Sequence, residues 1–191
     1  MTVNKLLETA QNLQLFFESR GWQFCFIGGI ALLHWGEPRL TQDVDVTLLT
    51  GFGDEERFVR TLLNEYEPRI SDAYDFAMTH RVVLLKTSAQ TLIDVTLAGL
   101  PNEEDMIARS RCERYSDTIS LRLCSAEDLI VHKVFAGRNK DWGDVESILL
   151  KQEKLDWQLI ELTLLPLLEM KDDVNSFQKL IDLRTTSQSN G

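Results

Sequence analysis

Cysteine is scarce in this sequence and badly placed for either of its structural uses. The three present, Cys25, Cys112 and Cys124, are odd in number and far apart. They exclude a disulfide framework and a thiolate metal site. Cys25 and Cys124 sit in apolar runs and read as buried thiols of a reducing compartment. Long apolar runs are missing too. None approaches the roughly 20 residues that cross a bilayer, and the opening segment is amphipathic, without a signal-peptide pattern. A cytoplasmic protein with no membrane partner is expected. Positive charge is in deficit: 20 Lys and Arg against 30 Asp and Glu leave a net charge of −10. That balance argues against broad electrostatic binding to nucleic acid. It leaves room for one local basic cluster, Lys133, Arg138 and Lys140. Internal repeats and low-complexity linkers are absent.

What remains is an ordinary globular composition, 43% hydrophobic and 26% charged over 191 residues, enough for one domain with a core or for two small lobes. Apolar residues at helical spacing predict a helix over 3–19, stopped by Arg20-Gly21. A strand is expected over 22–27, broken by Gly28-Gly29, then a short helix over 30–35 and a strand over 44–49. A helix follows from Asp54 to about Glu67. Residues 69–79 are ambiguous and polar enough for a loop. Strands over 81–86 and 91–97 make a hairpin, an acidic helix runs over 102–109, and 111–123 reads as a strand or hairpin edge. Ser125 caps a helix reaching Phe135, and Gly137 interrupts it. Three more helices are expected, to about Leu150, over 155–169 with Pro166 ending or kinking it, and over 174–183. The fold class is therefore α+β: a small mixed sheet flanked by helices in a lobe over 1–123, a helical lobe over 124–184, and a disordered polar tail over 185–191.

Asp43-Val44-Asp45 lies in a strand-like run. Strand side chains alternate, so both carboxylates share one face. Two like charges side by side gain nothing for the fold. A divalent cation between them reverses that sign, and an all-oxygen donor set suits magnesium. Asp94, flanked by Ile93 and Val95, is a third carboxylate inside an apolar strand. The three together point to a two-metal phosphoryl-transfer site. Gly28-Gly29 forms a turn between a strand and a short helix. Arg39 and Thr41 precede the pair at alternating positions. Lys133 lies mid-helix among apolar neighbours, where it is either a functional point charge or a surface lysine. Arg138, Asp141 and Asp144 also read as ion pairs pinning two helices. His34, His132 and Trp142 have no assigned role.

The ordered set Gly28-Gly29, Arg39-x-Thr41-x-Asp43-x-Asp45, strand Asp94 and the Lys133 helix with Arg138 and Asp141-x-x-Asp144 resembles the nucleotidyltransferase superfamily typified by DNA polymerase beta. More narrowly it resembles the small bacterial abortive-infection enzymes, toxins of toxin–antitoxin pairs. The resemblance spans about residues 22–150. It implies a nucleotidyltransferase fold, two Mg2+ ions on catalytic Asp43, Asp45 and Asp94, and a nucleoside triphosphate such as ATP as donor. It implies nucleotide contacts from Gly28, Gly29, Arg39, Thr41, Lys133 and Arg138. The acceptor stays open between RNA such as tRNA, a protein hydroxyl and a small molecule of the antibiotic type. An antitoxin partner would go with the toxin reading, and a non-catalytic regulatory module is the alternative outside enzymes. Many members carry Ser where this chain has Gly29, so that phosphate contact must come from the backbone or from elsewhere.

Overall fold

The structure, a computed structural model, describes residues 3–189. The chain divides into two compact units, one of residues up to Ile30 with Leu40–Cys124, the other of Ala31–Arg39 with the residues from Ser125 onward.

The first unit is built on one seven-stranded mixed sheet. Its strands are β1 (Phe24–Phe26), β2 (Asp43–Leu49), β3 (Glu67–Pro68), β4 (Val82–Lys86), β5 (Leu92–Ala98), β6 (Arg111–Arg114) and β7 (Ser120–Leu123), in the order β3-β4-β5-β2-β1-β7-β6. β2 runs antiparallel to β1 and parallel to β5, and β4 is antiparallel to β5, so the expected hairpin is present. Register decides the two faces. Val44, Val46 and Leu48 stand beside Ile93, Val95 and Leu97, with Val83 and Leu85 next in line. All eight are buried. Each fully buried aliphatic side chain contributes about 1.5–3 kcal/mol, so this face holds the sheet in place. The other face carries Asp43, Asp45, Leu92, Asp94, Leu84 and Lys86, all half-buried.

Helices α1 (Val3–Glu18), α3 (Glu55–Glu65), α4 (Ala73–His80) and α5 (Pro101–Arg109) complete this unit. Leu6, Leu7, Ala10, Leu13 and Phe17 make the buried stripe of α1, as its spacing predicts. The ambiguous stretch over 69–79 resolves partly into helix. Ala73 and Ala77 bury one turn apart, and Arg81, left-handed at φ 55°, closes α4 with its N–H on the Ala77 carbonyl. That cap also delays β4 to Val82.

The second unit is helical. α2 (Gly28–Trp35) starts in the first unit and contributes its residues from Ala31 to this one. α6 (Ala126–Ala136), α7 (Asn139–Lys151), α8 (Trp157–Met170) and α9 (Asn175–Ser189) pack around Leu129, Ile130, Val134, Val145, Ile148, Ile160, Leu164, Leu168 and Leu180, all with no exposed surface. Ser125 caps α6 by accepting from the Asp128 N–H, and Gly137 ends it at φ 67°. Pro166 does not end α8. It removes one N–H from the Leu162 carbonyl, and Leu162 is an exposed residue, where water can satisfy it. α9 runs on through Ser189, past the position 185 where a tail is expected. Thr185 and Thr186 hydroxyls donate to carbonyls one turn back, keeping polar residues compatible with helix. Residues 190–191 of that expected tail lie outside the described residues. No described helix is long and apolar enough to cross a membrane.

Candidate active site

The half-buried face of β2 and β5 brings Asp43, Asp45 and Asp94 together. Asp45 and Asp94 are direct partners in the parallel ladder, and Asp43 sits two residues along β2. One oxygen from each of the three lies within 4.8 Å of the others. Like charges directly opposite on neighbouring strands are destabilising. The donor set is oxygen only, and its spread fits a hard divalent cation. Burial, then Asp43, push the Asp94 carboxyl above its ordinary value, against the pull of Arg69. That partner is new: Arg69 Nη2 donates to Asp94 Oδ1 at 2.6 Å. Nothing in the sequence around Arg69 marks it. Its place depends on β3 pairing with β4, which a two-residue strand does not advertise.

The glycine turn lies against the same carboxylates. The Ile27 N–H donates to the Asp45 carbonyl at 3.0 Å, which brings the next residue close to the Asp45 side chain. Gly28 has φ +58°, and a Cβ there would stand 2.1 Å from Asp45 Oδ2. Only glycine meets both demands. A Cβ at Gly29 would stand 2.3 Å from Thr41 Oγ1, so the Thr41 hydroxyl occupies the space that a side chain at 29 would need. That hydroxyl donates to Asp43 Oδ1 at 3.0 Å. The Tyr115 hydroxyl, donating to the Ile30 carbonyl at 2.6 Å, ties down the chain just beyond the glycines. A cavity of about 280 Å³ lined by Leu40, Gln42, Gln90 and Leu92 adjoins Asp43. A wider cleft of about 700 Å³, beside Trp22, Leu49 and Glu104, opens at the other end of β2 and includes none of the three carboxylates.

The remaining predicted residues belong to the second unit. Lys133 is buried and paired with Asp144 at 2.7 Å and Asp141 at 3.3 Å. Arg138 grips Asp141 through two nitrogens, at 2.5 and 3.2 Å. Arg39 takes Asp144 in a fork at 2.6 and 2.8 Å. Arg39 therefore parts from Thr41: β2 begins at Asp43, so the two do not share a strand. Burial pushes both aspartates up, but Arg138 and Lys133 at Asp141, and Arg39 and Lys133 at Asp144, outweigh it and hold both below the ordinary range. Of the expected pinning by Arg138, Asp141 and Asp144, the Arg138–Asp141 pair is local to the start of α7, and it is Lys133 on α6 that joins both aspartates of α7. His34 stacks edge-on against Trp35 at 4.5 Å, and Trp142 is covered by Lys179 at 4.0 Å. Cys25 and Cys124 are buried as expected, and Cys112 is exposed.

Two solved structures share the fold. An antigenic nucleotidyltransferase-like protein from Paracoccidioides brasiliensis superposes with a TM-score of 0.55 at 16% identity, over 94% of each chain. The lincosamide antibiotic adenylyltransferase LnuA, in its lincomycin-bound form, does so with a TM-score of 0.52 at 14% identity, over 78% of this chain and 96% of its own. No curated protein matches the sequence. The family model described as nucleotidyltransferase of unknown function (DUF6036) matches residues 4–186. By that match over nearly the whole chain, with the fold and the carboxylate cluster, this protein belongs to that nucleotidyltransferase family.

Proposed function

We propose that the protein transfers a nucleoside monophosphate from a nucleoside triphosphate to a hydroxyl of a small molecule, with Asp43, Asp45 and Asp94 as the catalytic carboxylates. The observation that carries this reading is the three-carboxylate cluster, with Asp45 and Asp94 in direct register. It would hold two magnesium ions. Bound there, magnesium neutralises triphosphate charge and lowers the pKa of the acceptor hydroxyl. The acceptor oxygen bonds to the α-phosphorus, the α–β phosphoanhydride bond breaks, and pyrophosphate leaves with the electron pair. Asp94 takes the acceptor's proton. Asp43 and Asp45 fix the donor. The Gly28 and Gly29 amides, at the start of α2, face the phosphates, and Thr41 supplies the hydroxyl that Gly29 lacks. Within the second unit Arg138 grips Asp141, and Lys133 and Arg39 hold Asp141 and Asp144 rigid.

A small-molecule acceptor is favoured over RNA by three features. The net charge is −10. The cavity beside Asp43 is lined by two leucines and two glutamines, with no charged side chain. LnuA, named for adenylylating a lincosamide, has the same fold. The test incubates the protein and magnesium with each labelled triphosphate and three acceptor pools: hydroxyl-bearing antibiotics, total RNA and total protein. Label is expected in the small-molecule pool and is expected to vanish with Asp45→Asn. Label in RNA or protein would instead support the toxin-type activity, with its antitoxin partner. Transfer undiminished in Asp45→Asn would remove the carboxylate mechanism.

A further inference from the structure

Arg69 has no role in the scheme above, yet it touches the catalytic cluster. Its position is built by the sheet. Pro68 pairs with Leu85, and the Arg69 N–H donates to the Leu84 carbonyl at 3.0 Å. Leu84 is the register partner of Asp94, and Asp94 that of Asp45. Arg69, the residue after β3, therefore stands in line with the strand positions Leu84, Asp94 and Asp45, with the guanidinium reaching over β4 to Asp94. The contact is one-point, Nη2 to Oδ1, and not the two-nitrogen fork that Arg39 makes with Asp144. Both partners are only partly shielded, at 21% and 29% side-chain exposure.

We propose that Arg69 is a resident counter-ion of Asp94, holding it in competition with a divalent cation and yielding it when the cation binds. The inference rests on the metal reading of the cluster. Three carboxylates this close repel one another, and the Arg69 guanidinium offsets part of that repulsion at Asp94. A one-point contact leaves the second Asp94 oxygen to the cluster and makes the arginine exchangeable. A buried two-nitrogen clamp would have locked it in place. Arg69 thereby stabilises the fold without metal and weakens metal binding by the same coupling.

The test measures thermal unfolding in EDTA and in MgCl2, and Mg2+ binding by calorimetry, without nucleotide, for wild type, Arg69→Met and Arg69→Lys. Arg69→Met should melt several degrees lower in EDTA, regain most of that loss in MgCl2, and bind Mg2+ roughly fivefold more tightly or better. Arg69→Lys, with the charge on a compact ammonium, should shift both quantities the same way by less. It also serves where Arg69→Met does not fold in EDTA. In an Asp94→Asn background Arg69→Met should lose most of its effect in EDTA. Equal or weaker Mg2+ binding by the Arg69 variants, beside a wild type that binds, would overturn this inference alone and make Arg69 a scaffold residue. A wild type that neither binds Mg2+ nor is stabilised by it would overturn the metal reading as well.

Discussion

The protein holds two clusters of buried or half-buried aspartates with opposite charge balance. In the first unit three carboxylates, Asp43, Asp45 and Asp94, lie within 4.8 Å of one another, and Arg69 makes a one-point contact with Asp94. In the second unit two carboxylates, Asp141 and Asp144, face three cations, Lys133, Arg39 and Arg138. The residue type is the same, and the chemistry is not. Like charges on facing strand positions repel one another, and a bound cation would offset that repulsion. An over-compensated cluster is satisfied in itself. Breaking one of its pairs leaves a buried charge exposed to the low dielectric, which costs far more than the pair contributes when intact. The first gathers carboxylates on a half-buried sheet face; the second joins α6 to α7 through Lys133.

Substitutions can break this contrast, and the largest effect belongs to the first cluster. Asp45→Asn should lower nucleotidyl transfer by roughly a thousandfold with an unchanged circular-dichroism spectrum. Its melting temperature should hold or rise, because removing one of two opposed like charges relieves repulsion. A drop in melting temperature would mean the cluster is structural after all. Second comes Lys133→Met. It strips the shared cation from Asp141 and Asp144 and should cost about 3–5 kcal/mol in urea unfolding, with about 2–4 °C of melting temperature for each kcal/mol. A stable but inactive variant would move Lys133 into the catalytic machinery.

Gly28→Ala should be intermediate. Positive φ alone costs about 1–2 kcal/mol, and Gly21→Ala, at φ +65° with nothing within 4 Å, isolates that cost. Gly28→Ala also drives a methyl into Asp45, so its activity should fall by far more than that of Gly21→Ala at similar stability. Equal activities would show that the close approach does not set the carboxylate's position. The smallest effect is on pH. Asp141 and Asp144 titrate below the ordinary range in the folded protein, so their contribution to stability is present above the unfolded value of about 3.9. It is lost as pH falls through their lowered folded values. Urea unfolding should show a stability loss below about pH 4 that is blunted in Asp144→Asn. An acid limb unchanged by that substitution would assign the loss to other carboxylates.

Much of this was legible from residue order. The alternation of Asp43 and Asp45 and the apolar flanks of Asp94 mark strand carboxylates on a shared face, because strand period is fixed at two. The stop at Gly137 and the cap at Ser125 follow from local backbone chemistry. Other features were not legible. The segment over 69–79 is too polar and too short to show a period, so neither α4 nor Arg69 could be assigned. Arg39 and Thr41 precede the aspartate pair at alternating positions, and only the start of β2 at Asp43 shows that neither lies on that strand. Lys133 looked like a free point charge. Its two partners lie on the next helix, and whether a mid-helix lysine faces solvent or carboxylates is decided by packing, not by local sequence.

By itself the sequence determined the class of fold, the three carboxylates and the glycine turn, because each rests on short-range rules: strand alternation, helix period, and the freedom of glycine at positive φ. Tertiary structure alone decided which carboxylates oppose each other, which cation each one holds, and that Thr41 fills the space beside Gly29. Those depend on register between strands far apart in the chain and on the packing of helix on helix, where one residue's shift would exchange every partner.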